Sequence, residues 1–262
     1  MAKENTPLPA PAAGGGQEVF MDKPKYQRVL LKISGEALAG APGRGIDFAF
    51  AHQVCQVVKD CVSRGVQVGL VVGGGNFWRG VKDGGGNMAR VRADQMGMLA
   101  TVINSLALQD VLEQVGQPAR VLTSIPMGPV GEICSQAAAD RYLEGGAVVI
   151  FAGGTGNPYF STDTAAVLRA AEIQADIILL AKNIDGVYSA DPKKDPGAVK
   201  YDAISYDKVL ADHLQVMDLT ATSLALENHI PAMVFALADP QNILRAVMGE
   251  RIGTIVEEET KS

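Results

Sequence analysis

Five apolar runs punctuate this chain, at positions 29–33, 66–72, 119–122, 147–152 and 177–181, and none alternates with polar residues. Strands apolar at every position are buried on both faces, the condition of a mostly parallel sheet covered by helices. Between the first two runs, Ala51, Val54, Cys55, Val58, Cys61 and Val62 recur at three and four residues, and Gly65 follows as a stop, so the opening unit reads strand, helix, strand. Stretch 96–115 is also helical, but Met96, Met98, Leu99, Val102, Ile103, Leu106, Leu108 and Val111 cover more than one face. Such a helix is either a central core element or packs against its own copy in a symmetric oligomer, at least a dimer. Helices at 218–228 and 240–249 and strands at 232–235 and 253–256 continue the alternation, which predicts an α/β fold. Segment 191–205, with Pro192, Pro196, Gly197 and three lysines, breaks the rhythm and reads as a loop over the sheet edge.

Composition narrows this picture. With 262 residues, 47% of them hydrophobic and 20% charged, the chain can bury a sizeable core, and one domain over 25–258 is the simplest organisation. Residues 1–24, with Pro7, Pro9, Pro11 and Gly14 to Gly16 but no apolar core of an export signal, read as a disordered tail, and Met21 is an alternative start. A net charge of −6 argues against a general polyanion binder, so nucleic acid is not an expected partner. Cys55, Cys61 and Cys134 form no CxxC pair, which fits a reducing, cytoplasmic setting. His52, His213 and His229 lack metal-ligand spacing, and no run approaches the roughly 20 apolar residues of a membrane helix.

The chemistry lies in glycine-rich turns that follow apolar runs: Ser34-Gly35, Gly73-Gly74-Gly75-Asn76 and Gly153-Gly154-Thr155-Gly156-Asn157. Backbone N–H groups in such turns, helped by a following helix dipole, hold phosphate oxygens. No Gly-Lys dipeptide occurs, which excludes a P-loop. The third glycine of a dinucleotide fingerprint is replaced by Trp78 in one turn and Tyr159 in the other, so a Rossmann dehydrogenase is not expected.

Five ordered motifs carry a family resemblance: Leu31-Lys32-Ile33-Ser34-Gly35-Glu36-Ala37-Leu38, Gly73-Gly74-Gly75-Asn76 with Arg79-Gly80, Asp94-Gln95-Met96-Gly97-Met98-Leu99-Ala100-Thr101, Gly154-Thr155-Gly156-Asn157-Pro158-Tyr159-Phe160-Ser161-Thr162-Asp163, and Asp185-Gly186-Val187-Tyr188 through Asp191-Pro192. Over nearly the whole chain after Tyr26, the sequence resembles the bacterial uridylate kinases of the amino acid kinase superfamily. The resemblance implies a three-layer α/β/α sandwich, γ-phosphoryl transfer from MgATP to UMP in pyrimidine nucleotide biosynthesis, and a homohexamer built from dimers. Relatives on this scaffold phosphorylate amino acids or carbamate, so the acceptor-side residues must decide the substrate.

On this resemblance Lys32, Arg79 and Asp163 are catalytic, Asp163 orienting Lys32. ATP falls to Lys32, Ile33, Ser34, Gly35, Gly75, Arg79, Asn183, Tyr188 and Asp191, with Lys182 and Asn183 competing for one basic position. UMP falls to Gly74, Asp94, Thr155, Gly156, Asn157, Pro158, Tyr159, Phe160, Ser161 and Thr162, Asp94 taking the ribose hydroxyls. Without that resemblance Asp94 and Asp163 would read as helix N-caps, Lys32 as a solvated strand end and Arg79 as a surface side chain. Mg²⁺ is expected to arrive with ATP and no protein metal ligand is assigned. Gly40, Ala41, Pro42, Gly43, Arg44 and Gly45 resemble a loop tied to GTP activation, with UTP as inhibitor. Gln109 and Glu113 depart from the basic or imidazole side chains that some members carry there.

Overall fold

A run that is apolar on both faces needs helices above and below it, and the chain supplies them by crossing from strand to strand. The computed structural model describes residues 23–40, 43–79, 83 and 88–258, so the expected tail lies almost wholly outside the described residues. In chain order the elements are β1 (Arg28–Ile33), α1 (Gly35–Leu38), α2 (Phe48–Ser63), β2 (Gln67–Val72), α3 (Arg90–Gln114), β3 (Ala119–Thr123), β4 (Glu132–Ile133), α4 (Gln136–Glu144), β5 (Val148–Ala152), α5 (Thr162–Glu172), β6 (Ile177–Lys182), β7 (Val187–Tyr188), β8 (Lys200–Tyr201), β9 (Ala203–Ser205), α6 (Tyr206–Ala211), α7 (Leu219–Glu227), β10 (Ala232–Ala236), α8 (Gln241–Val247) and β11 (Thr254–Glu257).

Nine strands form one sheet in the order β4-β3-β5-β2-β1-β6-β10-β11-β9, and β7 pairs with β8 separately. All neighbours in the large sheet run parallel except β10 and β11. β1 lies at the centre, with Leu31 opposite Leu70 of β2 and Leu179 of β6. Val29, Leu31 and Ile33 point to a layer containing α2, α3 and α8, whereas Leu30 points to one containing α4 to α7. Burying each such aliphatic side chain is worth about 1.5–3 kcal/mol, so the two layers hold the central strands tightly. The α/β expectation and its mostly parallel sheet are thus met.

Three differences stand out. Segment 191–205 is not only a loop: it contains β8 and β9, and β9 is the edge strand beside β11. With only five paired residues in two pieces, its pattern is too short to register as a strand. The long helix starts at Arg90, six residues earlier than its apolar stretch, because Arg90, Arg92 and Asp94 make a polar first turn and a half. Its core reading holds for one side only. Val102, Leu108, Val111 and Leu112 are buried, while Met96, Leu99, Ile103 and Leu106 are 38 to 49% exposed and form an apolar seam on the other side. Among the described residues no helix is long and apolar enough to cross a membrane.

Candidate active site

Parallel strands end on the same side, so the turns after β1, β2, β5 and β6 converge. The chain moves outward from β1 through β2 and then returns to β6 on the other flank of β1, which makes this end a topological switch point where α/β sheets place ligands. The first two glycine turns are held in close contact: a Cβ on Gly35 would fall 2.5 Å from Gly73 O, and one on Gly74 would fall 2.8 Å from Ala100 Cβ of α3. No larger residue fits either position.

Lys32 of β1 and Lys182 of β6 sit on the face that carries α5, since Lys32 pairs with Leu180 and Lys182 follows two residues later on the same side. Asp163, in the first turn of α5, meets both: Lys32 Nζ lies 2.6 Å from Oδ1 and Lys182 Nζ 3.9 Å from Oδ2. Burial alone would raise the Asp163 pKa, but the two lysines more than offset it and hold the carboxyl below the usual carboxylate range. Burial pushes Lys182 below the ordinary lysine value, with Lys32 adding to the shift and Asp163 opposing it. Lys182 also donates to Val216 O. Neither acid is an N-cap: Ser161 caps α5, and Asp94 lies inside α3, whose cap position is Ala89. Lys32 is not the solvated strand end of the ordinary reading, being 8% exposed.

Two adjoining cavities lie here; Asp163 and Lys182 line only the smaller, and Lys32 lines neither. The larger, about 870 Å³, is lined by Gly74, Gly75, Arg79, Asp94, Thr155, Asn157, Tyr159, Phe160, Ser161 and Thr162, and also by Arg90. The smaller, about 460 Å³, is lined by Asp163 and Lys182 with His213, Val216 and Met217. Asp218 and Leu219 border both. Asp218 caps α7 through Ala221 N–H and also receives the hydroxyls of Ser161 and Thr164, so it joins α7 to α5 where the cavities meet.

In the larger cavity Asp94 is already partnered. It accepts both oxygens' worth of hydrogen bonding from Arg90 Nε, and Tyr159 N–H donates to Oδ2 at 2.8 Å. Tyr159 adopts φ 72°, a backbone state that side-chain-bearing residues rarely take, with its ring 5.2 Å from the Arg90 guanidinium. Arg79 pairs with Glu36 at 3.1 Å, and its Nε donates to Gly75 O. Gly156 and Pro158 line neither cavity; Gly156 (φ 81°) sits where a Cβ would come 3.0 Å from Ser124 O.

Other sequence candidates fall elsewhere. Ser34 caps α1, and Ser34, Ile33 and Gly35 support the first turn without lining either cavity. Asn183, Tyr188 and Asp191 also line neither; Tyr188 donates to Asp185, and Asp191 turns back onto Lys193 N–H. Gly43, Arg44 and Gly45 lie beside the second turn, where Gly45 N–H donates to Asn76 O and Gly43 and Arg44 line a cavity of about 240 Å³ with Arg79; Ala41 and Pro42 lie outside the described residues, and Gly40 packs on Asp47. Gln109 and Glu113 bond each other, and Glu113 lies 3.8 Å from Arg120. Sequence reasoning missed Asp218, Arg90 and the hydroxyl of Thr101, which receives Gly153 N–H at 2.9 Å. Asp218 shows in sequence only as a helix cap, and Thr101 only as a polar residue in an apolar helix.

A parallel sheet with glycine turns and a lysine–aspartate–lysine array at one end defines the class, an α/β protein with its candidate site at the strand ends. The chain belongs to the amino acid kinase family, whose model matches residues 27–236. Among solved structures it is similar to the UMP kinase of Bacillus anthracis, at 38% identity and a TM-score of 0.86, covering 90% of this chain and 97% of that one. The UMP kinase of Ureaplasma parvum is also 38% identical, with a TM-score of 0.84 and coverage of 88% and 99%. The uridylate kinase of Archaeoglobus fulgidus is 29% identical, with a TM-score of 0.69 and coverage of 87% and 99%.

Proposed function

We propose that this protein transfers the γ-phosphoryl group of MgATP to UMP, giving UDP and ADP, as a step of pyrimidine nucleotide synthesis in the cytoplasm. The observation that carries the reading is the Lys32–Asp163–Lys182 array among the glycine turns, with Asp163 and Lys182 lining the smaller cavity, which adjoins the larger at Asp218 and Leu219. The larger cavity takes UMP, with Asp94 for the ribose and Tyr159 and Phe160 as walls for the base. The smaller cavity and the turn after β1 take ATP, with Asn183, Tyr188 and Asp191 closing from the β6 side. Similarity to UMP kinases at 38% identity supports this assignment.

An oxygen of the UMP phosphate attacks the γ-phosphorus, the bond to the bridging oxygen breaks, and ADP leaves with that electron pair. The nucleophile is already anionic, so no strong general base is needed. The protein instead aligns two polyanions and offsets their repulsion, with Lys32, Lys182, Arg79 and the turn N–H groups as the positive partners. Asp163 holds the two ammonium groups toward the transfer point. Among the described residues no three or more His, Cys, Asp or Glu side chains form a metal-binding group, and Asp163 and Asp218 are engaged by lysines and hydroxyls. Mg²⁺ would arrive with ATP and would offset charge on its phosphates.

The apolar seam of α3 packs against its copy in a dimer, the unit of a homohexamer, and light scattering measures that assembly. GTP activation through residues 40–45 and UTP inhibition belong to the same reading, and a GTP titration that leaves the rate flat removes them. The test of the main proposal is ADP release from MgATP with UMP, CMP, dTMP, AMP, carbamate, aspartate and glutamate offered separately. Turnover confined to UMP and lost in Lys32→Ala is the expected result; turnover on a different acceptor, or on none, overturns it.

A further inference from the structure

Two buried amides lie beneath the point where the first two glycine turns meet. Asn76 follows the second turn and is 2% exposed; Asn104, in the middle of α3, is fully buried. Asn104 Nδ2 donates to Gly73 O at 2.7 Å and to Asn76 Oδ1 at 2.7 Å. Asn76 Nδ2 donates to Asn104 Oδ1 at 2.9 Å and to Gly45 O at 2.7 Å. Each amide thus uses both of its hydrogens and its oxygen, and such fully satisfied buried networks rigidify what they touch.

What they touch is both phosphate turns. Gly73 opens the second turn, and its own N–H donates to Ile33 O at the end of β1. On the first turn, a Cβ at Gly35 would fall 2.5 Å from Asn76 Oδ1 and 2.5 Å from Gly73 O, so this turn rests directly on the amide pair. The third turn has a different tie to the same helix, Gly153 N–H donating to Thr101.

We propose that Asn104, acting through Asn76, is a positioning residue for phosphoryl transfer: it sets the turn at Ser34 and Gly35 against the turn at Gly73 to Gly75, and locks the segment at Gly45 to both. The inference rests on the assignment of these turns to the two nucleotides. Transfer requires the reacting atoms about 3–3.5 Å apart, and a displacement near 1 Å costs on the order of 10²-fold in rate. A purely structural amide pair would instead cost stability and leave the rate of the folded enzyme unchanged.

The experiment compares wild type, Asn104→Ala, Asn104→Asp and Val111→Ala, the last removing buried apolar volume from the same helix. Hydrogen exchange on the nucleotide-free protein and steady-state kinetics with UMP and MgATP are measured on each. In Asn104→Ala, exchange at 34–36 and 73–76 and at Gly45 rises by about tenfold or more while Gly153 is unaffected, and kcat falls by about 10- to 100-fold with both KM values within about threefold. Val111→Ala lowers Tm but leaves turn exchange and kcat at wild-type values. In Asn104→Asp a carboxylate faces Gly73 O and Asn76 Oδ1, and only its protonated form can donate, so kcat gains an extra rise as pH falls through the carboxyl range, an acid-side limb that the other proteins lack. That variant carries the test if Asn104→Ala does not fold. Unchanged exchange in the two turns, or a kcat that follows only the folded fraction, overturns the proposal. Absence of UMP turnover in the wild type overturns the assigned reaction instead, and the exchange pattern then decides the positioning role alone.

Discussion

The lysine–aspartate array and the loop at Tyr159 and Phe160 adjoin at Asp163, only three residues past Phe160, yet are built on opposite physical terms. Lys32, Lys182 and Asp163 come from two central strands and one helix start, and Lys32 is 8% exposed. Their positions are set by a sheet whose register places both lysines on one face. Tyr159 and Phe160 are 66% and 52% exposed and are tied to the body through Asp94 and Arg90. Rigid elements fix geometry to fractions of an ångström, whereas an exposed loop held by few bonds opens at low cost. On the proposed function, the first region is expected to govern kcat and the second the affinity for UMP.

The sharpest way to break this division is Lys32→Ala. Removing a cation from a largely buried transfer point is expected to lower kcat by about 10³-fold, while the thermal midpoint, measured by calorimetry, shifts by only a few degrees because Lys182 remains to face Asp163. A kcat within tenfold of wild type would remove Lys32 from the chemistry.

Lys182 provides a pH test of the same centre. Its folded pKa is lowered by burial first, with Lys32 acting in the same direction. The unfolded chain thus holds more protons between that lowered value and the ordinary lysine value of about 10.4, so this group's contribution makes the fold more stable as pH rises across that window. Activity runs the other way, since the charged form is the one that offsets phosphate repulsion. kcat is expected to fall on the alkaline side below the ordinary lysine range. In Lys182→Arg, which does not titrate there, that limb disappears, whereas Lys182→Ala loses about 10²-fold where Lys182 is charged and its deficit shrinks along the alkaline limb.

Much of this centre was readable in the chain because its parts sit where strong local patterns end. Non-alternating runs located β1, β2, β5 and β6, and the glycines after them marked the turns. Lys182 was visible as a basic candidate, but only the β1–β6 register shows that it shares a face with Lys32. Asp94 and Asp163 looked like caps because an acid near a helix start has that default, and the boundaries that refute it depend on Ala89 and Ser161. Asp218, Thr101 and the Asn76–Asn104 pair are long-range contacts between polar residues, and no periodicity records those. Residues 200–201 and 203–205 were missed as strands since pieces so short gain their order from β7 and β11 respectively.

On the recognition side, Phe160→Ala is expected to raise KM for UMP by about tenfold, in line with the 1–3 kcal/mol a base–aromatic contact is worth, and to leave KM for ATP and kcat within about twofold. Initial-rate kinetics with each nucleotide varied in turn measure both. An equal change in the two KM values would mean that the loop also shapes the ATP cavity.

The smallest effect is expected at Tyr159→Gly, where two terms oppose each other. Glycine adopts φ 72° freely, so the substitution removes the strain of a left-handed tyrosine, about 1 kcal/mol. It also deletes the ring beneath Arg90, an exposed cation–π contact worth about 0.5–1 kcal/mol, and loosens the loop in the unfolded and folded states alike. The backbone N–H to Asp94 survives in glycine, so the main tie of the loop is kept. Thermal denaturation should therefore show a midpoint within about 2 °C of wild type, with KM for UMP raised by less than about threefold and kcat unchanged. A large loss of kcat here would erase the distinction between the two regions, since it would make the exposed tip of the loop part of the rigid frame that holds the reacting phosphates.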